Sequence, residues 1–232
     1  MSEHKTSLFT RHRWFLFFAL AVSGCVWDLY TKHLAFEYLG APQPDPPSHV
    51  VIPGMLSLLT NLNTGALFGI GQGVNILFTI ASLAAIAVIL FLVLFREATK
   101  NLLYCIVLGL VMAGALGNLY DRLGLHGMKQ IQVGNARGYF LHDQVPEHLD
   151  VTPVRAVRDF IYFKLEPPLT NEVWIDWPIF NFADCFLVIG VFLLMFHSFR
   201  QPVSDSDTVK SVSDFSATPN VDSPSEKRSQ DS

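Results

Sequence analysis

Charge is the scarcest feature of this sequence: Asp, Glu, Lys and Arg make up 16% of its 232 residues, whereas hydrophobic residues make up 50% and Phe alone contributes 19. A soluble domain carries more charge, so this balance, with a mean hydropathy of +0.35, points to a membrane protein. Basic residues are outnumbered, giving a formal net charge of -4. No basic stripe is available to neutralise phosphates, which argues against a nucleic-acid partner. Cysteine is limited to Cys25, Cys105 and Cys185, each inside an apolar run. Three thiols without metal-ligand spacing imply neither disulfides nor zinc and read as small buried hydrophobes. The HExxH pattern is missing, and His33, His126, His142 and His148 stand in unrelated local contexts, so no triad is suggested. Neither a metal nor a cofactor is expected.

What is present is a set of long apolar runs. Residues 1–13 are polar and carry Lys5, Arg11 and Arg13. The run that follows contains Val22-Ser23-Gly24-Cys25, which has the form of a lipobox. It nevertheless continues through Val26-Trp27 and Leu29-Tyr30 to nearly the ~20 residues that cross a bilayer. Three further spans follow, so residues 14–34 are read as a retained helix. Residues 76–95 hold no charge and form the clearest span; residues 102–120 and 179–199 complete a set of four. Gly109, Ala113, Gly114 and Gly117 offer close packing within the third.

The connecting segments are of different kinds. Residues 40–49 form a rigid Pro-rich connector. Residues 50–52 and 56–60 read as short strands around the Pro53-Gly54 turn, within a first loop of residues 35–75. The second loop, residues 121–178, holds a strand-like stretch over 154–165 that reads as an edge strand, and then Trp174 and Trp177, an interfacial aromatic pair. Residues 201–232 are rich in Ser, Asp and Pro and read as a disordered tail. Lys or Arg occurs in residues 1–13, in 96–100 and at the start of the tail, but not in 33–73. The positive-inside rule therefore puts both termini in the cytoplasm.

On that topology the polar clusters converge on the extracytoplasmic ends of the spans. Asp28 and Lys32 are four apart on one helix face, either as an interfacial ion pair or as a polar anchor for a site. Asn63 precedes the second span. Asn118 and Arg122 share a face at the end of the third, Arg122 either snorkelling to the interface or pointing between helices. Asp159 lies on the strand-like stretch, and Asn181 and Asp184 open the fourth span. An acid at the mouth of an apolar run needs compensation and marks a functional site. Two carboxyls brought together in a poorly solvated place have their proton affinities forced apart, so that one is protonated and one ionised, as an aspartic protease requires. A proton or ion relay would place such groups along the depth of the spans, and these stop at one end.

Five stretches occur in order between the four spans: Asp28-Leu-Tyr-Thr-Lys32, Asn63-Thr-Gly65-Ala66-Leu-Phe68, Gly114-Ala-Leu-Gly117-Asn118-Leu-Tyr-Asp121-Arg122, Val157-Arg-Asp159-Phe160 and Phe180-Asn181-Phe-Ala183-Asp184. In this arrangement the chain resembles the lipoprotein signal peptidase (signal peptidase II) family over residues 14–199. The resemblance implies an all-α polytopic fold of four transmembrane helices carrying a small extracytoplasmic β-cradle. It implies a bacterial inner-membrane aspartic endopeptidase that works without cofactor and cleaves diacylglyceryl-modified prolipoproteins before the lipidated Cys, in contact with membrane lipids; because the proposed site is complete within one chain, the protein is expected to act as a monomer. Carried over by motif, Asp159 and Asp184 are the catalytic pair, oriented by Asn181. Asn118 and Arg122 contact substrate; Asn63, Gly65 and Ala66 shape the pocket; Asp28 and Lys32 hold the first helix to the site. Gly114 and Ala183 belong to the same motifs. The alternative is a catalytically inactive four-span protein that binds lipid or peptide at the same polar site.

Two departures from the family pattern stand out. The Pro-rich segment 40–49 is longer than the family needs, and a long insertion separates Arg122 from Asp159. The insertion introduces Asp143, in Phe140-Leu-His-Asp143-Gln, as a rival acid. Asp159 is preferred because Asp159-Phe-Ile-Tyr-Phe163 continues the strand-like family pattern.

Overall fold

The computed structural model describes residues 2–44, 46–65, 75–96, 101–133, 136–145, 149–167 and 172–200. Residues up to Met195 form one compact unit; of the remainder, only the last turn of the final helix is described. Among the described residues there are four α-helices, α1 (Ser2–Leu39), α2 (Asn75–Phe95), α3 (Leu102–Arg122) and α4 (Phe182–Arg200), with two strands between α1 and α2 and five between α3 and α4. The segments Arg13–Leu39, Asn75–Phe95 and Leu102–Arg122 are long and apolar enough to cross a membrane, and the apolar part of α4, Phe182–His197, is shorter. The protein is thus a polytopic helical membrane protein with a small β-structure attached. The predicted tail and the Glu97 and Lys100 positions lie outside the described residues.

α3 is the central helix. Of its apolar window 61% is buried, against 17% for α1 and 11% for α2. α2 is apolar all round but buries only Ile89 and Val93, which leaves Ile76, Ile80, Phe91 and Leu94 to face lipid tails. Phe17 and Ala21 of α1, Ile89 and Val93 of α2, and Cys105, Leu108 and Met112 of α3 form the core between these three helices. Helix approach depends on missing side chains. A Cβ on Gly114 would lie 2.5 Å from the Ala183 carbonyl oxygen and 2.8 Å from Leu187 Cγ, and one on Gly109 would lie 3.0 Å from Leu20 Cβ.

The strands form two sheets. β1 (His49–Ile52) and β2 (Leu56–Asn63) make the expected hairpin, and β6 (Val157–Leu165) and β7 (Ile175–Asp176) extend it in the order β1-β2-β6-β7. The reading of 154–165 as an edge strand is corrected here. β6 pairs with β2 on one side, Asn61 opposite Asp159 and Asn63 opposite Val157, and with β7 on the other. β6 is thus interior to the sheet; β7 covers it only at Lys164 and Leu165, and Asp159, opposite Asn61 of β2, is fully buried. The insertion folds as a second sheet, β4-β3-β5, from β3 (Lys129–Val133), β4 (Ala136–Phe140) and β5 (Thr152–Pro153). Met128, Leu141, Val154 and Ala156 of this region pack with Ala35 and Phe36 of α1 and with Phe160 of β6 in a second core.

A buried ion pair ties the end of α3 to β6. Asp121 Oδ1 accepts from Arg158 Nε at 3.0 Å and lies 2.9 Å from Nη2, while Asp121 Oδ2 accepts from the Arg158 backbone N–H at 3.0 Å. Asp121 is fully buried and Arg158 is 6% exposed. The residue beside Asp159 is therefore clamped at both side chain and backbone. Charge-assisted forks of this kind are geometrically specific.

Arg158→Met, which keeps the apolar stem and removes the fork, is expected to destabilise the fold by about 3 kcal/mol, because Asp121 then loses a buried cationic partner. Thermal unfolding in detergent measures this, and Arg158→Lys should recover part of the loss. Gly114→Ala should also lower the melting temperature. Alanine ordinarily favours a helix interior by about 1 kcal/mol, but forcing α3 and α4 apart costs about 1–3 kcal/mol. A melting temperature equal to or above the parent's would contradict the close approach.

Candidate active site

α4 begins three residues later than the apolar run suggests, and the reason lies in Phe180 and Asn181. The Phe180 backbone exchanges hydrogen bonds with Ile161 of β6, at 3.0 Å and 2.9 Å, so the chain is still extended there. Asn181 then caps the helix: its Oδ1 accepts from the Asp184 N–H at 3.1 Å, and Asp184 Oδ2 accepts from the Asn181 N–H at 3.3 Å. This reciprocal pair is a capping box made with Asn and Asp. It holds the Asp184 carboxylate at the positive end of the helix dipole.

The capping residue also reaches the other acid. Asn181 Nδ2 donates to Asp159 Oδ1 at 2.6 Å and to Asn118 Oδ1 at 3.3 Å. Asn118 Nδ2 in turn donates to Asp184 Oδ1 at 2.9 Å. Two amides thus connect the two carboxyls. The Asn118 amide is oriented from both ends, since its Oδ1 also accepts from Lys32 Nζ at 3.1 Å.

Lys32 continues the network into α1. Its ammonium lies 2.7 Å from Asp28 Oδ2 and 3.2 Å from Asp121 Oδ2, with all three side chains at 0% exposure. Of the two readings of Asp28 and Lys32, burial excludes interfacial snorkelling. Asp28 Oδ1 accepts from the Ala183 N–H at 2.8 Å, so α1 is bonded directly to the first turn of α4. Gly117 makes room for this contact, because a Cβ there would collide with the Asp28 carboxylate.

Asn63, at the end of β2, accepts from the Gly65 N–H at 2.8 Å, a local turn that Gly65 can close with its φ of +94°. The Phe78 ring would meet any Cβ at Gly65. That same ring carries the Arg122 guanidinium at 5.0 Å. Arg122 Nε and Nη1 are buried and make no hydrogen bond, while the group feels the charges of Asp184, Asp159 and Asp121. Arg122 therefore turns inward, which overrules the snorkelling alternative. Ala66 lies outside the described residues.

The two carboxyls differ in surroundings. Asp159 is fully buried and its Oδ2 has no hydrogen-bond partner. Burial first, and the negative charge of Asp184 second, push it up to about 7 against the opposing pull of Asn181, Asn63 and Lys32. Asp184 is only half-buried and accepts two N–H bonds. The arrangement can keep one carboxyl protonated and one ionised near neutral pH. Asp143 belongs to the 3₁₀ turn His142–Gln144 on the insertion, a separate element from β6 and α4. Sequence reasoning gave no role to Asp121 or Arg158. Their only local signal is an acid beside Arg122 at a helix end and an arginine next to Asp159.

Residues 20–200 match the family described as signal peptidase (SPase) II. The chain is 31% identical to a lipoprotein signal peptidase of Rhodopirellula baltica, over 82% of this chain and 74% of that one. It is 30% identical to one of Chlorobium phaeovibrioides, over 79% and 88%. A bacterial membrane enzyme solved by the in meso method at 1.9 Å superposes with a TM-score of 0.56 and 25% identity, covering 80% of this chain and 94% of that one. With a family match across most of its length and an amide-bridged pair of carboxyls, one fully and one half buried, between its helices and strands, the chain belongs to the signal peptidase II family of membrane aspartic endopeptidases.

Proposed function

We propose that the chain cleaves diacylglyceryl-modified prolipoproteins on the amino side of the lipidated Cys, with Asp159 and Asp184 as its catalytic pair. The observation that carries this is the contrast between the two acids across the Asn181 and Asn118 amides. Asp184, ionised, takes a proton from a water molecule as the water oxygen bonds to the scissile carbonyl carbon. Asp159, protonated, donates to the carbonyl oxygen as it becomes negative. Collapse re-forms the carbonyl as its proton returns to Asp159, the C–N bond breaks, and the proton held by Asp184 passes to the leaving amine. Asn181 holds both acids; Asn118 fixes Asp184 and is itself fixed by Lys32.

The Arg122 guanidinium, buried over Phe78 with two nitrogens unbonded, supplies donors to the substrate backbone or its lipid-bearing ester. Asn63 and Gly65 shape the pocket wall, and Gly114 lets Ala183 approach α3. Since all these residues come from one chain, the protein acts as a monomer in a bacterial inner membrane. The charge distribution of the loops supports cytoplasmic termini and a site on the extracytoplasmic side, where lipidated substrates are presented. Trp174 and Trp177, 64% and 58% exposed, suit the lipid headgroup region of that face.

The direct test supplies a diacylglyceryl-modified prolipoprotein to the purified protein in detergent. The parent and Asp143→Asn should cleave it, whereas Asp159→Asn and Asp184→Asn should each lose at least about a thousandfold in kcat/KM, in keeping with removal of a general acid or base. Cleavage that survives Asp159→Asn but is lost in Asp143→Asn would reassign the pair, and no cleavage by the parent would favour the binding-only alternative.

Two pH effects follow from Asp159. The cleavage rate should fall as pH rises through about 7, where Asp159 gives up the proton that it donates. Its raised value also means that the fold favours the protonated form. Stability is therefore lost as pH rises from the ordinary carboxylate range to about 7. At pH 8 the parent carries the full penalty and Asp159→Asn carries none, so the inactive variant should melt a few °C above the parent; a lower melting temperature would show the ionised carboxylate to be better satisfied than this geometry allows.

A further inference from the structure

The inserted sheet and the connector that follows it enclose a second pocket of about 250 Å³, lined in part by Leu62, Thr64, Gln130, Arg137, Tyr139 and Arg155. Gln130 of β3 faces Tyr139 of β4 in register, so their side chains share one face of the hairpin. Arg137, two residues before Tyr139, shares that face as well. Arg155 lines the pocket from the connector between β5 and β6. Among the described residues no carboxylate pairs with either guanidinium. Two arginines without a carboxylate partner among the described residues, beside a phenol, an amide and a threonine hydroxyl, form a donor-rich pocket suited to an oxyanion, and guanidinium forks match phosphate oxygens.

The level of the pocket narrows the choice of oxyanion. A Cβ on Gly124 would lie 3.4 Å from Arg155 Cγ, and Gly124 comes two residues after the end of the α3 span. Its neighbours Leu123 and Leu125 are 47% and 57% exposed, as apolar side chains are at the edge of a bilayer. Thr64, which also lines the pocket, directly follows β2. The Arg155 wall is thus rooted where α3 leaves the hydrocarbon, at the depth of lipid headgroups. The volume admits one headgroup rather than a length of polypeptide.

We propose that this pocket binds the phosphate of an anionic membrane phospholipid, and that the inserted sheet, beyond its packing role, is a lipid-binding module separate from the acid pair. The net positive lining favours anionic over zwitterionic headgroups. Bound lipid would bridge the insertion to the membrane surface next to Asn63 and Gly65 at the edge of the active site.

The full-length protein in detergent is titrated calorimetrically with dihexanoylphosphatidylglycerol, dihexanoylphosphatidylcholine, inorganic phosphate and an acidic hexapeptide. Phosphatidylglycerol should bind most tightly. Arg137→Gln/Arg155→Gln should weaken it by at least about tenfold, and Arg137→Gln alone by less, with melting temperature and prolipoprotein cleavage in detergent unchanged. Equal binding by the parent and the double variant would overturn the site. Inorganic phosphate binding as tightly as the lipid would assign it to soluble phosphates instead, and preference for the hexapeptide would assign it to protein; either result refutes the lipid assignment.

Discussion

The ammonium of Lys32 is the constraint on which the rest of the structure depends. It has no solvent exposure and is held between Asp28 and Asp121, with a hydrogen bond to Asn118. Taking charges out of water costs several kcal/mol per ion, and the cost is recovered only when geometry and partners are complete. Here each partner has a second obligation. Asp28 bonds the backbone of α4 at Ala183, Asp121 bonds β6 at Arg158, and Asn118 bonds Asp184. No one of these elements can shift without leaving a buried charge unsatisfied, so the energetics of the ion cluster also fix the relative position of the two acids.

The N-terminus of α4 shows how one group serves both structure and chemistry. Asp184 completes a capping box with Asn181 and sits at the positive end of the helix dipole. Asp159, on the interior strand β6, has no comparable cap and is buried with one oxygen unbonded. The difference in protonation proposed for catalysis is therefore a difference between a helix cap and a strand interior. It needs no further charged group beyond those already counted.

Much of this was legible in the sequence, and the parts that were not share a cause. The apolar runs revealed the helices, and the acid opening the fourth run revealed Asp184, because both signals are local. The Pro53-Gly54 turn likewise marked the β1–β2 hairpin. Asp121 was hidden because what makes it central is contact with residues 32 and 158, which no local pattern connects. β6 was mistaken for an edge because its neighbour β7 is two residues long and comes after the insertion. The start of α4 was misplaced by three residues because the bridge from Phe180 to Ile161 overrides the apolar character of that segment.

The insertion raised the question of how a catalytic strand can remain in place behind so long an excursion. Its two ends are closed onto each other in steps. Val154 N donates to Met128 O at 3.0 Å, Gly124 at φ +75° packs under the Val154 carbonyl, and Asp121 clamps Arg158. What lies between these closures is a hairpin paired within itself and a small core against α1. Loop-closure entropy grows only slowly with length once the ends are held, so such an excursion adds little cost at the site. The position of Asp159 is then set by Asp121 and Asn181, which stand on α3 and at the head of α4, and not by the length of chain that precedes it. The same closures explain how a segment foreign to the family pattern can carry Arg137 and Arg155, which have no carboxylate partner among the described residues, without disturbing the acids: its packing is anchored at the membrane end, where Tyr139 of the hairpin joins the second core.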